Sequence, residues 1–145
     1  MKRDARLHGL TSDHHHALVL ARRVAREHTA GGAELVHAVR EAFERELAPH
    51  FAVEEEVLLP ALAAVGASNL VERTREEHAL LRGHLAAAES GNHERLADFA
   101  TLLERHVRFE ENELFPAAEA RLGGEVLATV AARRPHPHHS TRTSS

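Results

Sequence analysis

The sequence of 145 residues contains no cysteine, no tryptophan and no tyrosine. Without cysteine there can be no disulfide, no thiolate zinc site and no cysteine-held iron–sulfur cluster. The longest apolar run, 57–67, is about half of the ~20 residues that cross a bilayer, and residues 1–10 lack the apolar core of a signal peptide. We therefore expect a cytoplasmic protein that makes no contact with a membrane.

An excess of positive charge is also lacking, because the formal net charge is −4 with histidine counted as neutral. No basic excess is available to bind a phosphate backbone, which argues against nucleic acid as a partner. Histidine is the residue in excess, with 14 copies. Three of these histidines fall in the Pro-, Ser- and Thr-rich segment 135–145, for which we predict a disordered tail. The remainder, 1–134, has the length of one domain.

Alanine, leucine, glutamate and arginine are abundant, which favours helix over sheet. Residues that cap or end helices divide the chain into segments of helical periodicity. We predict helix A at 11–28 with Thr11 or Ser12 as its cap, helix B at 33–65, helix C at 68–90, helix D at 92–122 and a short fifth helix at 125–133. Because short loops join long amphipathic helices, the predicted fold is all-α. We expect an up-down-up-down antiparallel four-helix bundle followed by the short C-terminal helix.

Three prolines fall inside these predicted helices, Pro49 and Pro60 in helix B and Pro116 in helix D. Proline lacks a backbone donor and its ring clashes with the carbonyl one turn back, so each position predicts a kink. The alternative is that helix B consists of two shorter helices.

Two segments, 50–60 and 106–116, repeat one pattern. In each, a histidine is followed by a glutamate four residues on, a leucine eight residues on and a proline ten residues on. The histidine and the glutamate lie on one helix face, inside an otherwise apolar stripe, and burying them requires partners. The pattern therefore predicts four metal ligands: His50, Glu54, His106 and Glu110. The alternative is a buried network of His–Glu hydrogen bonds without metal.

Helices A and C each offer one more histidine to this site. On helix A, His14 lies on the apolar face, and His15, at the edge of the charged face, is the alternative. On helix C, His78 lies on the apolar face. With a rise of about 1.5 Å per residue, the histidines of the four helices lie within one turn of a common layer. Outside this layer we place His28, His37, His84 and His93. Glu55, Glu56 and Glu111 adjoin the ligand face, and the alternative for them is a solvated helix side.

The ligand set combines imidazole and carboxylate without thiolate, which suits iron or manganese, with zinc as a competitor. Two histidines per ion and two shared carboxylates leave each ion short of six ligands. A small ligand such as O₂, NO or peroxide could then bind.

These residues resemble the hemerythrin family, in its HHE cation-binding branch. The resemblance covers about residues 8–122 and rests on the motifs Asp13-His14, Pro49-His50-Phe51-x-x-Glu54-Glu55, Glu77-His78, and His106-x-x-x-Glu110 before Leu114-Phe115-Pro116. It implies a four-helix bundle around a non-haem di-iron centre, in which two Fe ions are bridged by carboxylates and by an oxo or hydroxo group. By this resemblance, His14 and His50 hold one iron, His78 and His106 hold the other, and Glu54 and Glu110 bridge them.

One position departs from the oxygen-carrying members of that family. Those proteins place a second helix C histidine one turn after the first, where this chain has Arg82. A guanidinium cannot ligate a metal, so we expect Arg82 to pair with a carboxylate near the site, Glu110 or Glu111. The last bridging ligand is also a glutamate at i+4 rather than an aspartate at i+5. Both departures argue against reversible carriage of O₂.

The function that the sequence favours is a non-haem di-iron protein that binds or senses O₂, NO, peroxide or iron. An alternative is a di-iron enzyme that turns over peroxide or NO, and no catalytic residue is assigned. A second alternative is a helical interaction module whose histidines are structural or bind zinc. A sensor would require a separate protein partner, which the sequence does not identify.

Overall fold

The computed structural model describes residues 3–133, and this part of the chain is all-α, without a strand. Residue 134 and the predicted tail, 135–145, lie outside the described residues. The α-helical segments are α1 (His8–Ala42), α2 (Ala48–Val53), α3 (Leu59–Ala64), α4 (Ser68–Glu89), α5 (Arg95–Phe109), α6 (Phe115–Arg121) and α7 (Gly124–Arg133). Between residues 3 and 133, no helix combines the length and hydropathy needed to cross a bilayer.

These segments correspond to the predicted helices. Helix A is the part of α1 before Gly32, and helix B runs from there to the end of α3. Helix C is α4. Helix D consists of α5 and α6 with a π-helical turn between them, and α7 is the predicted short fifth helix.

Helix A begins earlier than predicted, at His8, after a 3₁₀ turn at Ala5–Leu7. The predicted caps, Thr11 and Ser12, lie inside the helix. Asp4 caps the 3₁₀ turn instead, because its side chain accepts a hydrogen bond of 2.8 Å from the backbone N–H of Arg6. Burial of Leu7 stabilises this additional turn.

The turn between helices A and B depends on two glycines. Gly32 has φ 53° and ψ −150°, a conformation that side chains other than glycine rarely adopt. A Cβ atom at Gly31 would lie 2.5 Å from Cβ of Leu35, which is closer than real carbon atoms approach. The chain therefore reverses at this glycine pair without an intervening loop.

The three prolines are accommodated by wide π-helical turns rather than by breaks. These turns are Phe43–Leu47, Glu54–Leu58 and Glu110–Leu114, and each ends two residues before a proline. After each turn, a backbone N–H donates to the carbonyl five residues back, as from Leu59 to Glu54 and from Phe115 to Glu110. The wider turn relieves the clash of the proline ring with the preceding turn. Helix B is therefore one helix, and the alternative of two shorter helices is wrong.

The apolar core consists of two clusters separated along every helix by polar residues. One cluster includes Val24, Phe43, Leu85 and Phe99, and the other includes Leu7, Leu62, Leu114, Phe115 and Val130. On helices A and C, the buried polar residues fall between the positions that contribute to the two clusters, and on helices B and D they lie on either side of the point where one cluster gives way to the other. Helix α7 covers the second cluster with Leu127 and Val130. The fold thus places a polar layer inside an apolar core.

Candidate metal centre

The structure brings together in this polar layer all six side chains that the sequence singles out. They form two groups, each with ligand atoms within 4.8 Å of one another, and both groups contain Glu54 and Glu110. The first group is completed by His14 and His50 and the second by His78 and His106. All six side chains are buried. Their role as metal ligands stays a prediction.

Each of the two glutamates contacts both histidine pairs. For Glu54, one carboxylate oxygen lies 3.0 Å from Nε2 of His50 and the other lies 3.0 Å from Nε2 of His78. Glu110 places Oε1 at 2.7 Å from Nε2 of His14 and Oε2 at 3.0 Å from Nε2 of His106. Two carboxylates shared in this way are the arrangement that bridges a pair of cations.

Several buried polar atoms at the centre of this cluster have no hydrogen-bond partner. Among the described residues they are both carboxylate oxygens of Glu54, Oε2 of Glu110 and Nε2 of His78 and His106. Buried polar groups without partners are costly, and these are lone-pair donors that a cation would satisfy. The residues present therefore fit a pair of metal ions, and the donor set of imidazole and carboxylate is that of iron, manganese or zinc.

The opposite nitrogen of each imidazole contacts a second carboxylate outside the cluster. The Nδ1–carboxylate distances are 2.6 Å for His14–Glu111, 3.0 Å for His50–Asp13, 2.6 Å for His78–Glu55 and 2.7 Å for His106–Glu77. These pairs form a ring, because a carboxylate of helix A contacts the histidine of B, and likewise B to C, C to D and D to A. We call these four acidic residues the outer carboxylates.

The outer carboxylates fix the proton on each imidazole. An ionised carboxylate only accepts, so Nδ1 of each histidine donates and Nε2 faces the shared glutamates. Neutral imidazole in this tautomer offers the Nε2 lone pair to a metal, and such outer carboxylates orient metal-binding histidines.

Sequence reasoning missed these four residues. Glu55 and Glu111 were expected to adjoin the ligand face but were given no role there, and Asp13 and Glu77 were not singled out as functional. A signal was available, since an acidic residue directly precedes His14 and His78 and directly follows Glu54 and Glu110.

Comparison with known families bears on the same residues. The family model of the hemerythrin HHE cation binding domain matches residues 6–118. The chain belongs to this hemerythrin family. No curated protein and no solved structure matches the chain. The match begins before His14 and ends after Glu110, so the HHE domain contains the whole cluster and its outer carboxylates.

The histidines of the HHE domain that were placed outside the ligand layer do lie outside it. His15, the alternative to His14 on helix A, is exposed, whereas His14 is buried. His84 is half-buried, and its Nδ1 accepts a hydrogen bond of 3.0 Å from Arg95. The other histidines expected outside the layer are His28, His37 and His93, and none of them belongs to either group of the cluster.

Arg82 does not pair with Glu110 or Glu111, so that expectation is wrong. Its guanidinium lies 2.8 Å from Oε2 and 3.3 Å from Oε1 of Glu55. Arg82 is exposed, and this contact directs its side chain from helix C towards helix B. Arg82 thus contacts an outer carboxylate rather than the centre.

In the HHE cluster, the charge of one group shifts the pKa of its neighbours. Burial is the largest single influence on the pKa of His106 and lowers it, but the charge and hydrogen bond of Glu110, together with Glu77 and Glu54, outweigh burial and raise that pKa to about 10. Hydrogen bonds from His78 and Arg82 hold the pKa of the Glu55 carboxyl at about 2. A metal ion that binds the histidines must therefore displace protons, and its binding is linked to pH.

Proposed function

We propose that this HHE domain holds two iron ions in the interior of the bundle. The proposed ligands are His14 and His50 for one ion, His78 and His106 for the other, and Glu54 and Glu110 as bridges between them. The observation that carries the proposal is the two-way sharing of the glutamates, each of which directs one oxygen to each histidine pair.

Iron is favoured by the chemistry of the ligand set. The chain has no cysteine, so soft thiolate ligands are absent from the site. Imidazole and carboxylate suit iron or manganese, and zinc is a competitor. Two histidine nitrogens and two carboxylate oxygens supply four protein atoms for each ion, which is fewer than the six of an octahedral shell. Positions for a small ligand are therefore open in this proposal.

We propose that the physiological partner is such a small ligand, namely O₂, NO or peroxide, or that the protein senses iron itself. When bound, a pair of iron ions supplies electrons to, or accepts them from, a ligand of this kind. The protein side chains keep water away, since Phe51 stacks on His78 at 3.8 Å between ring centroids and Phe115 stacks on His14 at 5.2 Å. The outer carboxylates hold the imidazoles in orientation.

The up-down-up-down order of the helices is part of the proposal, and contacts in the polar layer and at one end of the bundle support it. In the layer, His14, near the start of helix A, contacts Glu110, in the second half of helix D. Asp13, also near the start of helix A, contacts His50, past the middle of helix B. Towards the end of the bundle where helix B begins, Arg40 contacts Glu89 at the end of helix C. Each contact joins an early position of one helix to a position in the later half of another.

Metal analysis tests this function directly. After loading with ferrous iron without oxygen and removal of the excess, we expect two iron ions per chain. Glu54→Gln and Glu110→Gln are each expected to lose both ions, because each carboxylate serves both histidine pairs. Glu56→Gln is the matched control, since Glu56 is exposed and pairs with Arg133. A wild-type protein that binds one ion at saturation contradicts the proposal.

A further inference from the structure

Three arginines repeat one arrangement around the cluster. Each contacts an outer carboxylate, and each also lies over a phenylalanine ring near the histidine that this carboxylate contacts. The three sets are Arg82 with Glu55, Phe51 and His78; Arg73 with Glu77, Phe109 and His106; and Arg3 with Glu111, Phe115 and His14. None of the three guanidinium groups belongs to the candidate ligand groups.

The Arg82 set is the most complete. Both terminal nitrogens of Arg82 contact Glu55, at 2.8 Å and 3.3 Å, and Oε2 of Glu55 lies 2.6 Å from Nδ1 of His78. Phe51 contacts both groups, since Cζ of Arg82 is 5.5 Å from its centroid and His78 stacks on it with an interplanar angle of 15°. Arg82 therefore reaches His78 through a hydrogen-bonded path and through a stacked ring.

Arg73 makes the same kinds of contact as Arg82 and lies closer to its phenylalanine ring. Nε of Arg73 lies 3.0 Å from Oε2 of Glu77, and Oε1 of that carboxylate lies 2.7 Å from Nδ1 of His106. Cζ of Arg73 is 4.1 Å from the centroid of Phe109. Each carboxylate oxygen thus has its own partner, which fixes the plane of the carboxylate. His78 and His106 belong to the same candidate ligand group, so Arg73 and Arg82 act on one half of the cluster.

We propose that Arg82, Arg73 and Arg3 are positioning residues of the metal centre, which act on the histidines through the outer carboxylates. The inference rests on the proposed function, because the histidines are taken as ligands. A guanidinium fork fixes the plane of a carboxylate, and the carboxylate then directs the imidazole that donates to it. At helix C, Arg82 supports the ligand His78 from outside.

Arg40 is a matched control for Arg82, because it also contacts a carboxylate and a phenylalanine ring. It contacts both oxygens of Glu89, at 2.8 Å and 2.6 Å, and its Cζ lies 5.4 Å from the centroid of Phe43. This is the same combination of carboxylate and ring. Glu89, however, contacts no histidine of the cluster, so Arg40 lacks the last step of the path.

The experiment compares Arg82→Gln, Arg73→Gln and Arg40→Gln in the full chain by two measurements. The first is the rate at which a chelator removes iron from the loaded protein. We expect Arg82→Gln and Arg73→Gln to accelerate the loss of one of the two ions by about tenfold, the lower end of the effect of changing a residue that orients a metal ligand. Arg40→Gln is expected to leave the rate unchanged, and Arg82→Lys to restore part of the loss.

The second measurement needs no metal. It is the exchange rate of the Nδ1 proton of His78 with water in chelator-treated protein, observed by nitrogen-15 NMR. Arg82→Gln is expected to accelerate this exchange, because the hydrogen bond to Glu55 loses its fixed acceptor. If the wild type binds no iron but the exchange still responds to Arg82, the proposed function fails and the positioning role of Arg82 stands.

The variant Glu55→Gln tests whether Arg82 acts on His78 through Glu55. If Arg82 acts through Glu55, then Arg82→Gln has no additional effect on iron release in the Glu55→Gln background. An effect that persists at full size in that background overturns the proposal, as does an Arg82→Gln variant that matches Arg40→Gln in both measurements. Should Arg82→Gln fail to fold, as judged by its helical circular dichroism, the same comparison is made with Arg73→Gln and Glu77→Gln.

Discussion

At the scale of single residues, Glu54 and Glu110 stand out among the described carboxylates by their burial and by the histidines around them. Both are fully buried, and each contacts histidines on more than one helix. A buried carboxylate is costly unless it is paired, and neighbouring histidines pair it fully only when they are cationic. Protons and metal ions therefore compete for the same buried side chains. The pairing explains why so many acidic and imidazole groups can share one small volume.

A ligand role for the histidines predicts a sharp contrast between variants. His50→Ala and His106→Ala should each lower the iron content of the loaded protein from two ions to one or none, and should lower its melting temperature. Metal that binds only the folded chain stabilises it by mass action, and a lost ligand forfeits that gain. His84→Ala is the control, because His84 contacts Arg95 and lies outside both ligand groups. Equal iron loss in the His84 variant would show that the ligand assignment is wrong.

At the scale of helices, periodicity in the sequence predicts the elements and the six central side chains well. The i, i+4 repeat of histidine and glutamate depends only on helix geometry, which the structure follows. The outer carboxylates Glu55 and Glu111 could not be placed by that geometry. Both lie in π-helical turns, where more residues complete a turn, so a residue directly after a ligand stays nearer to the ligand face than in an α-helix.

The prolines explain why these wide turns occur where they do. Pro60 and Pro116 each follow a π-helical turn that begins at one of the two shared glutamates, Glu54 or Glu110. The sequence predicts disruption at a proline but not its form, because a kink, a break and a wide turn all relieve the same clash. The choice among these forms depends on tertiary packing, which the sequence pattern does not give. Leu58 and Leu114, which end the two π turns, are both buried.

The glycines allow a test of helix-scale strain. Gly32→Ala is expected to destabilise the protein by about 1–3 kcal/mol, because its backbone conformation is almost restricted to glycine. Gly83→Ala is the control within helix C, where an added Cβ has no atom within 4 Å. That change should stabilise the protein by about 0.5–1 kcal/mol, the gain from alanine at a helical glycine. Urea unfolding measures both, and equal shifts of the two midpoints would contradict the turn described at Gly31–Gly32.

At the scale of the whole molecule, the proposed metal ions would couple metal binding to folding through the polar layer. The layer separates two apolar clusters, and each of the helices A to D contributes a histidine to it. Ions held by all four helices would connect them at mid-height, in addition to the apolar contacts above and below. Loss of metal should therefore affect the stability of the whole bundle rather than that of one helix.

The pH dependence of stability should differ between the metal-free and the iron-loaded protein. In the folded metal-free chain the pKa of His106 is raised from 6.5 to about 10, chiefly by Glu110 against the opposing effect of burial. A raised pKa contributes stability fully below pH 6.5, and this contribution is lost as the pH rises towards 10. The pKa of Glu55 is lowered from 4.5 to about 2, so its contribution is present above pH 4.5 and is lost as the pH falls towards 2.

We therefore expect the melting temperature of chelator-treated protein to be highest between pH 4.5 and 6.5 and to fall steadily from 6.5 to 10. In the iron-loaded protein the imidazoles are neutral ligands, so they have no proton to lose over the alkaline range and the fall should be absent. At acid pH the two forms should converge, because protons compete with iron for the histidines and the loaded protein loses its advantage. Thermal unfolding of both forms across this range, followed by circular dichroism, measures the difference. Parallel curves for the two forms would show that the histidines do not exchange protons for metal, and the ligand assignment would then be wrong.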